Sequence, residues 1–154
     1  MNGRVVTATI GVLTVALGII GLTYPLHVMD WVGFSPLMTK PNAGTVETRA
    51  VYGGLFLVLG VFTLVAATAP RAHRGELLLI ACLWLGLFGG RMVGVSIDGS
   101  PGLLNTLGAV FELVVGSLLL VAPYLGGREE VPAVQPTAWR VARKGPAPVD
   151  SRPS

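Results

Sequence analysis

Hydrophobic positions along the chain do not alternate with polar ones. They run on in long blocks, separated by short clusters of Pro, Gly and charge. Val5 to Leu26 holds no charged residue over 22 positions. About 20 apolar residues cross the hydrocarbon core of a bilayer as a helix, so this block reads as a first span. Three more follow at about 47–69, 76–97 and 103–125. The punctuation between them is distinct. Pro70 stops the second block, Arg71-Ala72-His73-Arg74-Gly75 makes a tight basic loop, and Asp98-Gly99-Ser100-Pro101-Gly102 is a turn by composition. The longest connection, 25–46, carries Pro25, Pro36 and Pro41, which exclude a long regular helix. Leu26, Met29, Trp31, Val32 and Phe34 within it suggest a short amphipathic turn at the membrane interface. In the second block, Thr45 is placed to cap the helix start, and Glu47 suits the positive end of the helix dipole.

The pattern predicts an all-α, polytopic membrane protein: a four-transmembrane-helix bundle over residues 1–125. From Gly126 the composition changes. Residues 126–154 hold five Pro and five Lys or Arg, which reads as a disordered cytoplasmic tail. The first span has a charged start, as a secretory leader would. Its apolar run is long for a leader, and no small-x-small cleavage site follows, so it reads as a retained span.

Composition adds to this. Of 154 residues, 52% are hydrophobic and only 12% charged, and 12 of the 21 Gly fall inside the apolar runs. Small residues at that position let membrane helices approach closely. The net charge of +3 is topological rather than a nucleic-acid footprint, because no basic face is interleaved with aromatics. Arg4, Arg71, Arg74, Arg128, Arg140, Arg143, Lys144 and Arg152 all fall on one side of a four-span chain, with Lys40 on the other. The excess of Lys and Arg marks the cytoplasmic side. Both termini are therefore expected in the cytoplasm of a multi-pass cell-membrane protein. Cys82 is the single cysteine, so no internal disulfide or cysteine-based metal site is expected.

Three charges interrupt the spans: Arg49, Arg91 and Glu112. Glu112 lies nine residues after Leu103, about 14 Å below the outer boundary at the helical rise. Arg91 lies six residues before Ile97, about 9 Å below the same boundary. Arg49 enters near that face too. Each alone is expensive in lipid, by about 3 kcal/mol on insertion scales. Glycine spacing turns them inward. Gly108, Glu112 and Gly116 form one stripe, Gly86, Gly90 and Gly94 a second beside Arg91, and Gly53 stacks with Arg49. Such stripes mark close helix contacts. Two readings follow. Either Arg91 and Glu112 are a buried pair fixing helix register, or Arg49, Tyr52, Arg91, Asp98, Asn105 and Glu112 line a polar pocket open to the outside. Two Arg against one Glu leave a spare positive charge, suited to an anionic head group or small acid.

No catalytic constellation is evident. His27 and His73 are expected on opposite sides and cannot share a metal. Ser96 and Ser100 have no base, and the Gly pairs lack a phosphate-loop context. No metal or cofactor is expected. The pattern Arg49-x-x-Tyr52-Gly53-Gly54, then Gly90-Arg91-x-x-Gly94-x-x-x-Asp98-Gly99-x-Pro101, then Glu112 in a last apolar block, resembles a family of small bacterial four-helix membrane proteins catalogued as domain of unknown function 4345. The resemblance covers about residues 5–125. It implies the four-span architecture and treats these residues as one constellation, and it brings no reaction.

The function expected from sequence is a non-enzymatic membrane accessory or interaction subunit, or a binder of a small anionic ligand or lipid. The alternatives are a small oligomeric transporter, proton-coupled through Glu112, and a lipid-modifying enzyme. Membrane lipids, a membrane protein partner or a second copy are the expected partners, and nucleic acid is not.

Overall fold

A computed structural model describes residues 2–32, 43–99 and 102–125. The tail at 126–154, expected to be disordered, lies outside them, as do Phe34, Pro36, Lys40, Pro41, Ser100 and Pro101. The described chain is all-helical. Its elements are α1 (Gly3–Thr23), α2 (Pro25–Val32), α3 (Ala43–Thr48), a π-helical segment (Arg49–Leu55), α4 (Phe56–Ala67), α5 (Arg74–Asp98) and α6 (Gly102–Val121). A short 3-10 turn, Ala122–Tyr124, closes the order. Four stretches are long and apolar enough to cross a membrane: Gly3–Thr23, Gly44–Ala67, Arg74–Asp98 and Gly102–Tyr124. The second therefore includes α3, the π-helical segment and α4 in one rod. It starts before Thr45, so Thr45 sits within its first turn instead of capping it.

The bundle is two tight pairs, α1 with α4 and α5 with α6, laid against each other. The first pair closes through glycine. A Cβ at Gly18 would lie 2.5 Å from the Leu57 backbone nitrogen, one at Gly21 2.3 Å from the Tyr52 carbonyl oxygen, and one at Gly60 2.6 Å from the Val15 nitrogen. The helices thus touch backbone to backbone, where dispersion replaces the hydrophobic effect that lipid cannot supply. Buried threonines share the seam. Thr7, Thr14 and Thr63 each donate to the carbonyl four residues earlier, at 2.7–2.8 Å. Their hydroxyls are thereby satisfied without water.

Leu77, Ile80, Ala81, Trp84, Val115 and Leu119 fill the half of the bundle nearest Arg74. That end also gathers the start and finish of the described chain: Gly3 N–H donates to Leu125 O at 3.2 Å, and Arg71 Nε to Pro123 O at 3.1 Å. The Asp98–Gly102 turn and α2 sit at the other end, and Gly99 adopts φ 90° there. Outward positions remain apolar. Val12, Ile19, Phe62, Leu79, Val93 and Val110 are all half exposed or more. A molecule apolar both inside and outside is solvated by lipid tails.

Candidate functional site

Glu112 is 3% exposed, a carboxylate in the interior of a membrane helix bundle. Its partner is Arg91, whose Nε donates to Oε1 at 2.8 Å and to Oε2 at 2.9 Å. Arg91 Nη1 also donates to Asn105 Oδ1. Asn105 Nδ2 in turn donates to Val32 O at the end of α2, at 3.2 Å. A continuous chain of hydrogen bonds thus runs from α6 to α5, back to α6, and on to α2. Glycine makes room for it: a Cβ at Gly108 would sit 3.5 Å from the Arg91 guanidinium carbon. The guanidinium therefore lies across α6 at the one turn that has no side chain in its way.

The relay borders a cavity of about 320 Å³ between the helix pairs. Leu17 and Ile20 of α1, Val28 and Trp31 of α2, Leu104 and Leu107 of α6 supply apolar wall. An aromatic run lines the rest. Tyr52 stands 5.6 Å from Phe56, Phe56 5.2 Å from Trp84, and Trp84 5.5 Å edge-on to Phe111, centroid to centroid. All four spans and α2 contribute to this one space.

The six residues singled out from sequence separate. Arg91, Asn105, Glu112 and Tyr52 meet at the cavity. Arg49 does not line it. Its side chain is exposed, and its Nε donates to Leu22 O at 3.1 Å. Leu22 belongs to the last turn of α1, where carbonyls have no helical partner and the dipole favours a cation. Arg49 is therefore a cap on α1, and the expected Arg49–Arg91–Glu112 cluster reduces to Arg91 and Glu112. Among the described residues, no spare positive charge lines the cavity. Asp98 lines a second space of about 730 Å³ along α5 and α6, which shares only Arg91 and Asn105 with the first.

The glycines separate too. Gly108 and Gly116 pack on α5, the latter with its Cβ position 2.7 Å from Leu85, and Gly53 packs on Leu22. At Gly86, Gly90 and Gly94 a Cβ would meet nothing within 4 Å among the described residues. Within the single chain this stripe is not a helix contact. The seam that sequence reading passed over runs along α1, through Gly3, Thr7, Gly11, Thr14, Gly18 and Gly21, all buried. Its signal was available, because small residues recur there at steps of three or four. The cavity walls carried no such signal: Leu17, Ile20 and Val28 differ in no way from neighbouring apolar residues.

His27 and His73 lie at opposite ends of the bundle, on α2 and just before α5. Among the described residues no group of three His, Cys, Asp or Glu is placed to hold a metal.

Comparison with known proteins places the whole site within one family. No curated protein and no solved structure matches the chain. The family described as domain of unknown function (DUF4345) matches residues 3–122, from the first residue of α1 to the first of the closing 3-10 turn, with the Arg91–Asn105–Glu112 relay inside the match. This four-span membrane protein belongs to the DUF4345 family.

Proposed function

We propose that the protein is a non-enzymatic membrane module that holds one small amphipathic molecule or lipid between its two helix pairs. The observation that carries this reading is the cavity itself: an apolar, aromatic-walled space of about 320 Å³ with a hydrogen-bonded polar relay along one side. That pairing of wide apolar wall and few placed polar groups is what small-molecule sites share. The filled half of the bundle, with Leu77, Ala81 and Leu119 at 0% exposure, supports holding over passage. The protein would reside in the cell membrane with Arg4, Arg71 and Arg74 at the cytoplasmic end and the cavity in the opposite half.

Native mass spectrometry of gently extracted protein tests it. Wild type should carry one bound molecule per chain. A variant with Ile20→Phe and Leu107→Phe, which fills the cavity from α1 and α6, should fold and lose it. Wild type that extracts bare, or with only a protein partner, would sink the reading.

A further inference from the structure

Resting on that binding reading, we infer that the occupant is electrically neutral and carries acceptor oxygens, as in an ester or ketone on an apolar body. Charge balance is the first ground. Among the described lining residues, Arg91 and Glu112 are the only charged ones, and they neutralise each other at 2.8 Å. Arg49, the second cation, is committed to the α1 carbonyl of Leu22. A bare anion entering this space would lose its hydration and find no net positive charge in return.

An unmet hydrogen-bond donor is the second ground. Both Glu112 oxygens already accept from Arg91 Nε. Arg91 Nη2, by contrast, donates to nothing among the described residues, while its side chain is 24% exposed. Two turns along α5, the indole N–H of Trp84 has no acceptor among the described residues either, but it is sealed from the cavity and a ligand there does not reach it. The accessible donor, Arg91 Nη2, calls for a ligand that brings an acceptor. The cavity is at the lower end of the roughly 300–1,000 Å³ of small-molecule sites. That size suits a single short chain with its carbonyl group and not a two-chain lipid in full.

The test uses the full chain in lipid nanodiscs, with Trp139→Phe so that the two remaining tryptophans, Trp31 and Trp84, both line the cavity. Their fluorescence is read against ω-bromodecanoate and its methyl ester, since bromine quenches indole at contact. The ester should quench saturably and bind roughly tenfold more tightly than the anion. Adding Ile20→Phe and Leu107→Phe should leave only the linear quenching of probe dissolved in the bilayer. If the anion binds as tightly as the ester or more so, and filling abolishes it, neutrality is overturned while the binding site survives. If neither probe saturates, or filling changes nothing, the site and this inference fall together.

Discussion

At the scale of single residues, the Arg91–Glu112 pair is what the bundle tolerates least to lose. Glu112 is buried and Arg91 only partly so, and the carboxylate is acceptable there because the guanidinium is 2.8 Å away. Removing one partner of a buried pair costs about 3–5 kcal/mol, whereas replacing both can be nearly neutral. Arg91→Met alone should therefore lower the thermal midpoint in detergent sharply, and Arg91→Met with Glu112→Gln should recover most of the loss. A double variant as unstable as the single one would show that the pair does not act as a unit. The depth arithmetic made this pairing legible, because two charges on antiparallel spans lay within an arginine's reach. Arg49 was not legible in the same way. Its depth matched the cluster, but depth says nothing of azimuth around a helix, and its side chain turns toward the end of α1.

At the scale of elements, glycines that look alike in sequence do opposite things. A Cβ at Gly18 would lie 2.5 Å from backbone, which cannot move aside, while one at Gly90 meets open space. Overpacking a tight contact costs about 1–3 kcal/mol, and alanine in an open helical site gains up to about 1 kcal/mol over glycine. Gly18→Ala should destabilise the α1–α4 pair, and Gly90→Ala should leave stability unchanged or slightly raised, as read by thermal unfolding of the monomer. Equal losses at both positions would mean that Gly90 faces a partner. The π-helical segment is a further element that periodicity did not announce. Arg49 to Leu55 widens just where it packs on Gly21, and this register carries Arg49 to α1 while leaving Tyr52 at the cavity. Irregular turns of this kind are often found at functional positions.

At the scale of the whole molecule, the two ends differ in charge and in contents. One gathers Gly3, Arg71 and Leu125, and the other holds α2, the relay and the cavity. In a Cys82→Ala chain, a cysteine introduced by Thr68→Cys and one introduced by Asp30→Cys should be labelled from opposite faces of sealed cells, the second from outside. Labelling of both from one face would overturn the four-span topology, and exchange of the two faces would overturn the orientation. Two tight pairs with a looser seam between them also explain why the cavity lies where it does. Glycine draws α1 onto α4 and α6 onto α5, whereas the surfaces facing each other across the middle carry Tyr52, Phe56, Trp84 and Phe111. Large rings hold the pairs apart at that level.

The span count, the helical class and the rarity of charge within the spans were all present in the one-dimensional pattern. Lipid accepts a crossing chain only if its backbone bonds are satisfied locally, so each span declares itself without reference to the others. Partner choice is of another kind. The stripe at Gly11, Gly18 and Gly21 and the stripe at Gly86, Gly90 and Gly94 carry the same local signal. Packing selected the first for α4 and left the second open, because which face meets which is a property of all the helices together. The same collective geometry sent Arg49 to cap α1 and kept Arg91 with Glu112, and so left the described lining of the cavity without net charge.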